Sequence, residues 1–103
     1  MDAAGLNYIK KSISLAPGEM FDVYSVKYAG LLIISEGFRG AVFAFAKTYT
    51  AGKDSIVTLF EDKDGEFTTI AGQGNTIHFG LVNGRYTITN NYDNTRNILI
   101  SIL

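Results

Sequence analysis

"TIHFGLVNGRYTITNN", residues 76–91, is the stretch whose reading decides the fold. Asn83 and Gly84 both accept the positive φ that a type I′ turn requires at its two central positions, and this pair is the strongest short hairpin signal. The runs on either side are rich in Ile, Phe, Tyr and Thr, as strands are. The same grammar extends outward in both directions. Residues 7–15 place Ile9, Ile13 and Leu15 on one face, and Pro17-Gly18 then offers the fixed φ and the positive φ of a type II turn. Residues 20–26, 30–35 and 40–49 follow, the last two joined through Glu36-Gly37-Phe38-Arg39. SIVTLFE and EFTTIAG flank Asp62-Lys63-Asp64-Gly65, which reads as a second hairpin. The closing runs, 85–91 and 96–102, are separated by a polar loop. Short strands at spacings of about 8–12 residues predict an antiparallel β-sandwich, jelly-roll-like, of about eight to nine strands.

The totals agree. A chain of 103 residues is one domain, here 1–103, with room for one core. Apolar residues make up 47% and aromatics 13%, which excludes disorder. Nine basic side chains against ten acidic ones give no field for gripping phosphate, so no nucleic-acid partner is expected. With no cysteine, neither a disulfide nor a thiolate metal site is available. The opening MDAAGLNYIKKSISL lacks the apolar run of a signal peptide, so synthesis in the cytoplasm is expected. No stretch approaches 18 apolar residues, so no membrane insertion is expected.

Three runs break the alternation of a half-exposed strand. Leu31-Leu32-Ile33-Ile34, Ala41-Val42-Phe43-Ala44-Phe45-Ala46, and the end of the chain (Ile98, Leu99, Ile100, Ile102, Leu103) are apolar on both faces. Such strands need covering on both sides, and one sandwich core covers only one. The second face is shielded either by loops or a folded-over terminus, or by another subunit.

Sites for chemistry are few. His78 stands alone in Ile77-His78-Phe79, with no second histidine or cysteine to share a metal, and reads as structural or solvent-facing. No G-x-S-x-G elbow accompanies the serines. Glu61, Asp62, Asp64 and Glu66 resemble half a calcium loop, but Phe60 stands where its first acid belongs. Acids crowded on one turn also lack the separation of about 5–10 Å that glycoside hydrolysis requires. No catalytic residue, metal site or cofactor is therefore expected. The remaining constellation is Asn91, Tyr92, Asp93, Asn94 and Arg96: an aromatic ring among amide, carboxylate and guanidinium groups. Those are the components with which proteins hold sugars, the ring against a pyranose face and the polar groups on its hydroxyls. The bland alternative is a loop of turn-formers with Tyr92 folded back on the sandwich.

Gly84, Tyr86, Ile88 and Asn90, followed by a polar loop and a final apolar strand, fit the pattern G-x-Y-x-I-x-N. Over this last fifth of the chain the sequence resembles the C-terminal head domain of a bacteriophage or prophage tail fibre. The resemblance implies a homotrimeric head, part of a virion, that recognises a bacterial surface glycan or protein without acting as an enzyme. A fibre head normally follows a long shaft, and this chain opens with methionine, so an excised domain or a separate small virion protein is expected. Two other readings compete: a structural virion protein without a ligand (capsid decoration or a baseplate module), and a carbohydrate-binding module of an enzyme. The absence of Trp disfavours the second, whose binding platforms favour that residue.

Overall fold

Turn chemistry sets the path of the chain. In the computed structural model, which describes residues 9–46, 55–61 and 64–103, Asn83 and Gly84 have φ of 53° and 77°, as a type I′ turn demands. At Pro17-Gly18 the glycine has φ 78°, and the Glu19 amide donates to the Ala16 carbonyl at 2.9 Å, closing a type II turn. Gly37 alone has positive φ in the Glu36–Arg39 turn, which is the type II′ arrangement with glycine first.

Among the described residues these turns connect nine strands: β1 (Ile9–Leu15), β2 (Met20–Asp22), β3 (Ala29–Glu36), β4 (Arg39–Ala46), β5 (Ile56–Glu61), β6 (Phe67–Thr68), β7 (Ile77–Val82), β8 (Arg85–Asn90) and β9 (Arg96–Ile102). They form a five-stranded sheet in the order β1-β9-β3-β4-β5 and a four-stranded sheet in the order β2-β8-β7-β6. The expected all-β sandwich is what forms. Pairing of the first strand with the last and of the second with the penultimate is the nesting of a jelly roll. The middle departs from it, because β3, β4 and β5 run as a meander within one sheet.

Two expectations are corrected. Asp62 to Gly65 is no hairpin turn: β5 is an edge of the five-stranded sheet, whereas β6 lies in the other sheet, paired parallel to β7. The segment is a crossover. Its far end is fixed by burial of Glu66, Phe67 and Thr68 rather than by turn preference (Asp62 and Lys63 lie outside the described residues). The strand read over 20–26 stops at Asp22, whose carbonyl accepts the Ser25 hydroxyl at 2.9 Å and whose carboxylate accepts the Ser25 amide at 3.3 Å, turning the chain. The distal part of the 40–49 run lies outside the described residues.

The core fills the space between the sheets. Leu15, Leu32, Ile34, Ala41, Phe43, Phe45, Ile98, Ile100 and Ile102 come from one sheet or its margin; Phe67, Ile77, Phe79, Tyr86 and Ile88 come from the other. At its centre Phe45 packs edge-on to Phe79 at 5.4 Å, and Phe43 lies 5.3 Å from the same ring. The Tyr86 hydroxyl reaches across to donate to the Ala46 carbonyl. The last strand is internal, between β1 and β3, and even Leu103 exchanges two backbone hydrogen bonds with Leu31. Gly30 makes this approach possible, because a Cβ there would lie 2.0 Å from the Leu103 carbonyl oxygen.

The outer face of the five-stranded sheet stays open. Leu32 and Ile34 are buried, while their neighbours Leu31 and Ile33 are 37% and 41% exposed. Register places Leu31 between Leu103 and Ala44, and Ile33 between Ser101 and Val42. Val57 and Phe60 continue the same rows on β5 and are more than half exposed, as Leu99 nearly is. No described loop or terminus shields these side chains.

Candidate functional site

The motif residues Gly84, Tyr86, Ile88 and Asn90 now have physical roles. A spacing of two keeps Tyr86, Ile88 and Asn90 on the inner face of β8, each fully buried. Asn90 is the polar member, and its amide is spent on architecture. Its Nδ2 donates to the Leu15 carbonyl at 2.8 Å and to the Asn94 carbonyl at 2.9 Å, while its Oδ1 accepts the Tyr92 amide at 2.8 Å. One buried side chain thus shapes the polar loop that precedes β9.

That loop presents its residues differently from a bare aromatic platform. Tyr92 is half-buried and packs against the core, and the Arg96 guanidinium lies 3.6 Å from its ring centroid. Asn91 exchanges backbone hydrogen bonds with Thr76 and Asn75. Asn94 accepts from Arg96 Nε at 3.0 Å, and Asp93 is exposed at the tip. Of the five residues singled out in the sequence, Arg96 and Tyr92 turn toward a second cluster, Asn94 braces Arg96, and Asn91 and Asp93 stand apart from it.

The second cluster lines a cavity of about 490 Å³ formed by Glu36, Gly37, Phe38, Arg39, Asp64, Glu66 and Arg96. Three segments meet there: the β3–β4 hairpin, the crossover before β6, and the start of β9. Arg96 Nη1 donates to Glu36 at 3.1 Å; Arg39 donates from Nε to Asp64 at 2.9 Å and from Nη1 to Glu66 at 3.1 Å. Phe38, at the hairpin tip, is fully exposed.

Glu66 is the unusual member. Its side chain is 1% exposed, one carboxylate oxygen accepts from Arg39, and Oε2 has no hydrogen-bond partner among the described residues. Burial pushes its carboxyl up to about 7, helped by the adjacent Glu36 carboxyl and opposed by Arg39. Burial, and then the charge of Glu66, also raise the Tyr92 hydroxyl above its ordinary value. The Glu36 and Glu66 carboxyls line the same cavity, each held by an arginine. Among the described residues no group of three or more His, Asp or Glu is placed to hold a metal.

Sequence reading missed Glu36, Phe38, Arg39 and Glu66. A phenylalanine at a hairpin tip was the available signal, since a turn has no structural use for an exposed ring. The contacts of Arg39 with Asp64 and Glu66 were out of reach, because they depend on the crossover that reads as a hairpin. His78 is buried at 5% exposure, its imidazole lies over Gly80, and burial lowers its proton affinity, which fits a structural, neutral histidine. Compared with family models, curated proteins and solved structures, the chain matches none.

Proposed function

We propose that this domain is a non-enzymatic head module of a phage or phage-like particle, assembled as a homotrimer and displaying one end of the sandwich to a bacterial surface glycan or protein. The observation that carries the reading is the open apolar face across β9, β3, β4 and β5. Leu31, Ile33, Val57, Phe60, Leu99 and Leu103 are each between 37% and 59% exposed, and together they leave an apolar patch on the order of a few hundred Å². A standard interface takes about 800 Å² from each partner, with an apolar centre inside a polar rim. A patch of this size, flanked on β1 by Lys10 and Ser12, therefore suits a copy of the same chain. The likeness of the closing segment to tail-fibre heads supports three copies and a place in a virion.

The test is the mass in solution. Light scattering at micromolar concentration should give about three times the chain mass of 11.2 kDa, and the assembled protein should adsorb to bacteria that the parent particle infects. A clean monomer at that concentration removes the reading. A trimer that adsorbs to no cell favours the structural alternative, a decorating or baseplate protein.

A further inference from the structure

We infer that the cavity between the β3–β4 hairpin, the crossover before β6 and the start of β9 binds one neutral, hydroxyl-rich ring, a hexose unit, with Phe38 as its stacking surface. This rests on the recognition half of the proposed function, and moves the contact from the tip of the 91–95 loop to the ground beside Arg96.

Three observations converge. The first is Phe38, whose ring is fully exposed although nothing in a type II′ turn calls for an aromatic at that position. Beside a polar cavity it offers the flat apolar surface that a pyranose face packs against. The second is the alternation of hydrogen-bond character around the walls. Glu36, Asp64 and Glu66 accept, Arg39 and Arg96 donate, and Arg39 and Asp64 are half-exposed at the rim (46% and 61%). A sugar hydroxyl donates and accepts at once, so adjacent hydroxyls match adjacent carboxylate and guanidinium groups.

The third is charge. Glu36 is paired with Arg96, and Arg39 is shared between Asp64 and the buried Glu66, whose Oε2 has no hydrogen-bond partner among the described residues. Two guanidinium groups face three carboxyls, and burial of Glu66 disfavours its charged form, so the cavity is close to charge balance. An anionic ligand would face the carboxylates and a cationic one the guanidinium groups, each at a cost in pairing. A neutral hydroxyl-rich ring meets neither penalty. A cavity of about 490 Å³ accommodates one such unit and leaves its neighbours in solvent.

The experiment is titration of the purified protein with methyl glycosides of glucose, galactose and mannose, followed by amide chemical shifts, with glucuronic acid and glucosamine as charged counterparts. At least one neutral glycoside should shift the resonances of residues 36–39, 64–66 and 96, and neither charged sugar should match it. Phe38→Ala should weaken that binding tenfold or more with an unchanged melting temperature, since the ring touches nothing structural. Arg96→Lys, which keeps the charge but loses the planar fork, should weaken it as well. Shifts confined to residues 91–95, no shift with any neutral glycoside, stronger binding of a charged sugar, or binding that survives Phe38→Ala would each overturn the assignment. Because these titrations need no assembly, a trimer whose cell adsorption survives Phe38→Ala would keep the particle reading and remove this site.

Discussion

The outer faces of the two sheets invert the usual rule. On the four-stranded sheet the outer face is polar (Thr68, His78, Thr87, Thr89), yet Thr68, His78 and Thr87 are buried. Their own chain satisfies them: Thr68 accepts the Ile70 amide at 3.0 Å, Thr87 donates to the Arg85 carbonyl at 2.9 Å, and His78 is hydrogen-bonded by the backbone of Thr69. On the five-stranded sheet the outer face is apolar, and it is left open. Solvation alone would assign the covering loops the other way round. The difference teaches that the apolar face is not leftover core.

The largest effect should come from the inner side of the open sheet. Ile98, Ile100 and Ile102 are essentially unexposed, and each such side chain contributes roughly 1.5–3 kcal/mol. Deleting residues 97–103 also strips β1 and β3 of their shared partner. Against a total stability of about 5–15 kcal/mol, the truncated chain should give no soluble folded protein. Ile100→Ala alone should cost about 2–5 kcal/mol. A truncation that still melts cooperatively near the wild-type temperature would show the last strand to be peripheral.

Next comes the pH response of the ionic cluster at the end of the sandwich. The Glu66 carboxyl lies at about 7 in the folded protein against 4.5 for the free side chain. Between those values the folded state holds a proton that the unfolded state has lost, so stability falls as pH rises from about 4.5 to 7. Below and above that window this group adds no slope. The loss is on the order of 3 kcal/mol. His78 acts in the opposite sense: burial lowers its proton affinity, so the unfolded chain takes up the proton first as pH falls through 6.5. The readout is therefore a difference. Glu66→Gln, neutral at every pH, should remove the Glu66 slope and leave that of His78, so the two denaturation curves diverge between pH 4.5 and 7. Parallel curves would mean that Glu66 is ionised throughout.

How much of this was legible in the sequence follows the range of each interaction. The Asn83-Gly84 and Pro17-Gly18 turns were readable because the φ they need is a local property of those residues. The two-sided apolar runs were readable as an anomaly, and the structure supplied the alternation that decides which side faces out. What stayed hidden was set at a distance. Asp64-Gly65 suits a hairpin as well as a crossover, and only the burial of Phe67 in the other sheet decides between them. Tyr92 looks like an exposed ring until Arg96, four residues on, lies across it. Asn90 looks like one more turn-former until its three hydrogen bonds are seen.

The two outer faces should also answer differently to small substitutions. A Cβ at Gly80 would lie 2.5 Å from His78 Nε2, so Gly80→Ala must displace a buried imidazole. It should cost about 1–3 kcal/mol, as overpacking does. The cost should be the same at every protein concentration, because the contact lies within one chain. A melting temperature within a degree of wild type would mean that the imidazole swings clear and that this face is looser than its burial indicates.

The smallest effect on the folded chain, and the sharpest break in the comparison, should come from Ile33→Thr on the open face. Ile33 is 41% exposed, threonine is also β-branched, and the strand pairing is unchanged. An isolated chain should therefore lose no more than about 0.5 kcal/mol. An assembled chain behaves otherwise, because association adds to apparent stability by mass action and the melting temperature then rises with concentration. Wild type should show that rise across the micromolar range, and Ile33→Thr combined with Leu99→Thr should flatten it while the dilute limits of the two proteins coincide. The concentration dependence separates the readings. If both proteins melt at one temperature at all concentrations, the open face has no copy to meet and the homotrimer fails. If the double variant melts lower even at the dilute limit, the face contributes to the single chain, and its exposure is no sign of an interface.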